Sequence, residues 1–460
     1  MGRALRVAII GSGPAGFYAA GHLLAKDEPK VEVDLFERLP TPWGLVRSGV
    51  APDHPKIKSV TRIYDRTAAH PRLRWFGNIE VGRDVSREDL LERYDAVVYA
   101  VGAETDRPLQ IPGADLAGVW PATRFVGWYN GHPDHRDHPF DLGVHEAVVI
   151  GNGNVAVDVA RMLCLSHEEL RVTDVADHAL EALRDAAIRD VTLLGRRGPV
   201  QAAFTTPELR ELGELDEADV DIDPADLELD PHSAAFLADG ATPTSRRNVE
   251  LLGELCRRPP QAGRPKTIHL RFLRSPVELR GEGRVEEVVV ARNELVRRED
   301  GSLAARATGA TETLPAGLVL SSIGYRGRPL PGVPFDAAAG LIPNEDGRVR
   351  GGEREYVTGW IKRGPSGIIG TNKKDAQGTV TTLLADLAAV GEDDRPAVPD
   401  GEDTARWLAE HHPEVITLEH WLTIDRHEQR LGEPHGRPRV KLTRTEELLA
   451  VCRPAESLLP

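Results

Sequence analysis

The first apolar block, Val7-Ala8-Ile9-Ile10, is a continuous run rich in β-branched side chains, the pattern of a strand buried on both faces. It gives way to Gly11-Ser12-Gly13-Pro14-Ala15-Gly16 and then to a helix-like stretch over residues 17–25, so the order reads strand, tight turn, helix. Residues 31–36 supply a second strand. After it LPTPWGLVRSGV, residues 39–50, carries too much Pro and Gly for a regular element and is expected to be a loop. Strands follow over 73–81 and 94–101, the latter closing on Gly102, before Arg107, Pro108, Pro112 and Gly113 break the pattern and mark a domain crossing. The opening pattern then repeats. Residues 147–150 form a strand, Gly151-Asn152-Gly153-Asn154-Val155-Ala156 a turn, and a helix runs to residue 165, followed by a strand over 191–194.

Past this second unit the pattern loosens. Thr206 is placed as an N-cap with Pro207 at the first helical position. Residues 216–230 read as acidic surface turns, 245–258 as a helix, and 267–320 as short alternating strands with glycine turns, a meander. Gly324-Tyr325-Arg326-Gly327 marks the return. Residues 356–360 predict a strand rejoining the first sheet, RGPSGIIGTN a glycine-rich turn before a helix over 372–390, and 404–451 helices joined by the Gly/Pro-rich stretch 432–438. The sum is an α/β chain with two Rossmann-like dinucleotide-binding domains, the second, residues 107–324, inserted into a discontinuous first, residues 1–106 and 325–460.

The turns carry the chemistry. Gly11 permits the sharp turn, Gly13 lets backbone approach a pyrophosphate, Gly16 lets helix and strand pack closely, and the helix that follows offers free N–H groups to phosphates. Glu37 ends the second strand at the spacing of an acid that hydrogen-bonds a ribose diol. The loop with Gly44, Leu45 and Val46 leaves that strand end and is placed over the same ligand or on the surface, and residues 100–102, closing on Gly102, pass beneath the phosphates. In the second unit Ala156 replaces the third glycine, and Arg196-Arg197 stand where the first unit has its acid. Two guanidiniums there suit a 2′-phosphate, which a carboxylate would repel, so NADP(H) is expected over NAD(H). Glu208 reads equally as a helix-capping acid or a ligand. At the later helix start, Gly367, Ile368 and Ile369 could aim backbone donors at the reactive ring of the first dinucleotide, and Trp360 either stacks beside it or fills a core. His54 is expected to be an exposed histidine at a helix start.

Composition narrows the class. A net charge of -15 over 460 residues argues against general nucleic-acid binding, and the apolar runs are too short to span a bilayer. The strand begins so near Met1 that no targeting segment is expected. Cys164, Cys256 and Cys452 lie far apart with no C-x-x-C pair, which excludes a redox dithiol, a zinc knuckle and a protein-borne iron–sulfur cluster and fits a reducing cytoplasm. No metal site is expected. With two dinucleotides meeting at the domain junction and no dithiol to receive electrons, the acceptor must be external. The helix over 245–258, with Arg246, Arg247, Arg257 and Arg258, is either a docking face for an acidic partner or a solvated helix face.

GSGPAGFYAA, LFERLPTPWGLVRSGVAPDHPKIK, VIGNGNVAVDVAR, LLGRRGPVQAAFTTPELREL and TGWIKRGPSGIIGTN together resemble the adrenodoxin-reductase-type ferredoxin–NADP⁺ reductases. The resemblance runs nearly end to end. It implies one FAD and one NADP(H), hydride exchange between nicotinamide C4 and flavin N5, and single-electron exchange with an iron–sulfur ferredoxin. Carried over by position, it implies FAD contacts at Ala15, Glu37, Leu45, Val81, Trp360, Gly367, Ile368 and Ile369, beside the cofactor-binding positions Gly11, Gly13, Pro14, Gly16, Gly44 and Gly102 read from the turns and the loop themselves. NADP contacts fall on Asn152, Gly153, Asn154, Val155, Arg196, Arg197 and Glu208, with Gly367 touching both cofactors. It also implies that His54 and Glu211 lie near the reacting rings and modulate transfer. The rival reading is a flavin-dependent NADPH oxidase or monooxygenase, in which oxygen or a small substrate reaches the flavin.

Overall fold

The computed structural model describes residues 3–391 and 394–452. The chain divides into two compact units, Met1–Thr105 with Gly324–Pro460, and Asp106–Ile323. The first holds an eight-stranded sheet. Its five central strands, Glu355–Val357, Ala96–Tyr99, Leu5–Ile10, Val31–Phe36 and Leu73–Gly77 in spatial order, are parallel. Every side chain of Leu5–Ile10 is buried, as a central strand covered on both faces requires. Ile10 is level with Phe36 on one side and Tyr99 on the other, so the glycine turn, Glu37 and Ala100 emerge together at one end of the sheet. The helices Pro14–Leu24 and Ile369–Ala389 pack against each other on one face.

The second unit is built on a six-stranded, wholly parallel sheet in the order Val119–Pro121, Leu318–Ser321, Glu146–Ile150, Asp190–Gly195, Lys266–Phe272, Ala218–Ile222. A separate antiparallel sheet of three strands, Arg274–Arg280, Glu287–Arg297 and Leu303–Pro315, accompanies it.

Several expectations need correction. Only the middle of 267–320 is a meander, since Lys266–Phe272 and Leu318–Ser321 belong to the parallel sheet. Alternation shows which residues share a face and is silent about the partner strand. The acidic stretch 216–230 is not all turns, because Ala218–Ile222 forms a sheet edge with Ala218 and Ile222 buried; charges alternate outward there, where an edge tolerates them. The expected strand 356–360 ends at Val357, and Trp360 opens the single helical turn Trp360–Arg363. The next helix starts at Ile369 rather than 372. Within 39–50 lies one helical turn, Leu45–Ser48, following Gly44 at φ +52°. The strand expected over 73–81 stops at Gly77, leaving Val81 in a one-residue bridge to Val85. In the tail, Ile416–Thr417 adds an antiparallel edge strand to Leu73–Gly77, too short to register as a pattern.

Candidate functional site

In the first unit the Gly11–Gly16 turn is shaped by space. Gly11 takes φ +104°, and a Cβ there would sit 2.6 Å from Ala100 O. A Cβ on Gly16 would lie 2.0 Å from Gly11 O, so any side chain would push the helix off its strand. Gly13 is the N-cap of Pro14–Leu24 and brings no side-chain cap, while Pro14 occupies the first turn and has no N–H to give. Ala15 is buried, and a Cβ on Gly359 would meet its Cβ at 2.6 Å. Gly44 lies over Gly13, its own Cβ position 3.0 Å from Gly13 Cα. At Gly102 a Cβ would meet nothing within 4 Å, an open edge beside the turn.

Glu37 stands one residue past its strand. Its carboxylate accepts from the Ser12 N–H and hydroxyl at 3.0 and 2.8 Å and from the Leu39 N–H at 3.2 Å. Ser12, which sequence reasoning passed over as the variable residue of the motif, therefore aims the acid. Trp360 stacks on Tyr325 with ring centroids 5.7 Å apart, and its indole Nε1 is buried without a hydrogen-bond partner among the described residues. Val81 is buried and Leu45 exposed. Gly367 and Ile368 lead into Ile369–Ala389, with Ile368 as N-cap and 66% exposed. His54 caps the short helix Pro55–Lys58 at only 8% exposure, so the expected exposed histidine is instead enclosed.

In the second unit Gly153 is the N-cap of Asn154–Cys164, with nothing within 4 Å of its Cβ position. Asn152 O accepts the N–H groups of Ala203 and Phe204, each at 3.1 Å, and Asn154 Oδ1 accepts that of Thr205 at 2.8 Å. These three bonds fasten the glycine turn to the segment leading into the helix Thr206–Leu212. Its N-cap is Thr205, one residue before the expected Thr206, whose hydroxyl donates to Asn248 Oδ1 at 2.7 Å. Two polar atoms here are buried and without partners among the described residues: Asn152 Nδ2 and Glu208 Oε2. Val155 is half-buried. Glu211 Oε2 lies 3.5 Å from the buried guanidinium of Arg161, which also reaches Asp158 at 3.2 Å.

Arg196 is exposed and Arg197 half-buried, directly after the strand Asp190–Gly195. Neither has an acidic partner among the described residues. Burial, together with the neighbouring Arg196 charge, pushes the Arg197 pKa down. No carboxylate among the described residues offsets the charge of these two adjacent guanidiniums.

The expected basic helix, Pro243–Cys256, uses its charges locally. Arg247 pairs with Glu250 and Glu254 at 3.0 and 3.2 Å, Arg246 donates to Ala238 O at 2.9 Å, and Arg258 just beyond it to Gly213 O at 3.0 Å. All three cysteines are free. Burial pushes the Cys164 thiol up to about 12. Among the described residues no helix is long and apolar enough to cross a membrane.

Comparison with known proteins follows the same lines. The family model for pyridine nucleotide-disulphide oxidoreductases matches residues 5–195. NADPH-ferredoxin reductase FprA of Mycobacterium leprae is 52% identical over 451 residues, covering 97% of this chain and 98% of that protein. Human mitochondrial NADPH:adrenodoxin oxidoreductase is 42% identical over 453 residues, covering 96% and 91%. A solved structure of Mycobacterium tuberculosis FprA in complex with NADPH superposes with a TM-score of 0.95 at 52% identity, covering 98% of this chain and all of that one, 100%.

Proposed function

Because the chain belongs to the adrenodoxin-reductase-type ferredoxin–NADP⁺ reductases, flavoproteins that carry electrons from NADPH to iron–sulfur proteins, we propose that it reduces an iron–sulfur ferredoxin in the cytoplasm of its own cell. FAD belongs to the unit Met1–Thr105 with Gly324–Pro460, and NADP(H) to Asp106–Ile323. When bound, the two cofactors supply hydride exchange between nicotinamide C4 and flavin N5 and single-electron exchange with the ferredoxin.

The residues present fit both groups. In the first unit the uncapped start of Pro14–Leu24, the open edge at Gly102 and the unpartnered Trp360 Nε1 suit a pyrophosphate and a ring. Glu37, aimed by Ser12, would accept from the ribose hydroxyls. The N–H groups of Gly367 and Ile369 would donate from a helix start, a positive end that favours electron density beside it, while the Ile368 N–H is held by Thr371 Oγ1 at 3.2 Å and Ile368 would add apolar contact. Leu45 and Val81 add apolar contact. In the second unit Gly153, Asn154 and Val155 present helix N–H groups to the second pyrophosphate, and Asn152 Nδ2 and Glu208 Oε2 offer an amide donor and a carboxylate acceptor. His54 and Glu211 are the groups that adjust the transfer, one from each unit.

The observation that carries the coenzyme choice is the Arg196-Arg197 pair with no acidic partner among the described residues. Replacing both by Gln should raise the KM for NADPH about ten- to a hundredfold, the loss of one or two charged contacts, and leave that for NADH nearly unchanged. Equal loss with the two coenzymes overturns the assignment. For the acceptor, the yellow protein is mixed anaerobically with NADPH in a stopped-flow instrument and then with ferredoxins from the same cell. Rapid bleaching followed by ferredoxin reduction is expected; faster reaction with oxygen than with every ferredoxin tried would point to an oxidase.

A further inference from the structure

The Arg196-Arg197 turn is held by the antiparallel sheet that accompanies the parallel one. Asn293, on the strand Glu287–Arg297, is 5% exposed, and its Nδ2 donates to Arg196 O at 2.9 Å and to Ser275 Oγ at 2.8 Å. The next carbonyl, Arg197 O, accepts the N–H of Leu273 at 3.1 Å, and Asn293 N–H in turn donates to Leu273 O at 2.8 Å. Leu273 takes φ +53°, a left-handed corner between Lys266–Phe272 and Arg274–Arg280. The pairing of Glu287–Arg297 with Leu303–Pro315 shifts register between Ala291 and Asn293, a bulge that re-aims the side chain at this point.

These contacts do to the arginine pair what its own electrostatics oppose. Two like charges on neighbouring residues favour a turn that lets them splay apart, and with no carboxylate paired to them among the described residues, the backbone holds them together. Pinning both carbonyls removes that freedom before any ligand arrives. We infer that Asn293 is a positioning residue for coenzyme specificity: through Arg196 O it keeps the two guanidiniums converged on the 2′-phosphate that separates NADP(H) from NAD(H). This rests on the reading of Arg196 and Arg197 as the 2′-phosphate site. The chemistry asks for an amide, because an N–H group must face the carbonyl and the remaining N–H must find Ser275.

Binding of NADP⁺ and of NAD⁺ to the holoenzyme is measured by titration calorimetry, with thermal unfolding recorded alongside. Asn293→Ala should weaken NADP⁺ about three- to tenfold, the range for one lost hydrogen bond, and leave NAD⁺ within about twofold. A merely structural role would lower the unfolding temperature and weaken both coenzymes by the same factor, and that result, or no change in either, overturns the inference. If Asn293→Ala does not fold, Ser275→Ala, which removes the second acceptor and loosens the amide, is judged on the same NADP⁺-to-NAD⁺ ratio. Arg196→Gln with Arg197→Gln separates the two levels. If that double variant leaves the ratio unchanged, the phosphate-site reading itself fails; if it collapses the ratio while neither Asn293→Ala nor Ser275→Ala moves it, only the role of Asn293 fails.

Discussion

Glu208 occupies the third position of its helix, where a carboxylate ordinarily closes a capping box by accepting the N-cap N–H. That N–H, on Thr205, donates instead to Asn154 Oδ1, and Glu208 Oε2 is left buried without a partner among the described residues. Sequence alone could not choose between cap and ligand. The competing acceptor that takes the N-cap N–H comes from a glycine turn 51 residues earlier. Glu208→Gln should therefore raise the KM for NADPH about tenfold, as expected for losing a charged hydrogen bond, with little change in unfolding temperature. A cap would show the reverse, a lower unfolding temperature and an unaltered KM. Trp360 follows a similar logic, since its ring is seated on Tyr325 while its N–H meets no acceptor among the described residues.

At the scale of elements, the helix Leu418–Gly432 anchors the turn at Trp43 and Gly44. Trp43 takes φ +82°, strained for a residue with a side chain, and leads into Gly44 over Gly13. Trp421 meets Trp43 edge-on at 5.0 Å, and the Arg439 guanidinium lies 5.4 Å from the Trp43 ring. Glu428, fully buried, accepts from Arg47 at 2.9 and 2.5 Å, from Arg439 at 3.1 Å and from the Leu442 N–H at 2.9 Å. Burial would push the Glu428 carboxyl up, but these guanidiniums and the N–H outweigh it and hold the pKa below the usual glutamate value. A depressed acid stabilises the fold above its unfolded pKa and loses that contribution as pH falls. The wild-type unfolding free energy should thus drop with acid from about pH 4.5 downward, and Glu428→Gln should flatten that slope. At neutral pH the same variant should cost about 3 kcal/mol, because two guanidiniums lose their buried counter-charge. Denaturant titrations across pH read both effects, and an unchanged slope would remove Glu428 from the account.

For the whole molecule, the matched family model names disulphide chemistry, yet this chain has three cysteines, all free and none spaced as a dithiol. The double variant Cys256→Ser, Cys452→Ser should reduce ferredoxin at the wild-type kcat; a loss of more than a few-fold would place a thiol on the electron path. Much of this organisation was legible in the chain. Glycine spacing, the acid after the second strand and the arginine pair after its counterpart are local signals, because a tight turn beside a phosphate constrains adjacent residues. Less legible were pairings and aim. Ala218–Ile222 and Ile416–Thr417 became strands by joining sheet edges, and Lys266–Phe272 took a parallel place that its alternation could not announce. Ser12 on Glu37, Asn154 on Thr205 and Asn293 on Arg196 are each contacts between residues far apart in sequence. The amino-acid order by itself determined where the two glycine turns lie, which sign of charge follows the second strand of each unit and that no two cysteines are spaced as a dithiol, because these depend on residue type and near spacing. Only the tertiary structure decided which polar atoms are left wanting a partner and which backbone carbonyls are pinned, because a buried atom is satisfied or orphaned by whatever distant segment the fold brings against it.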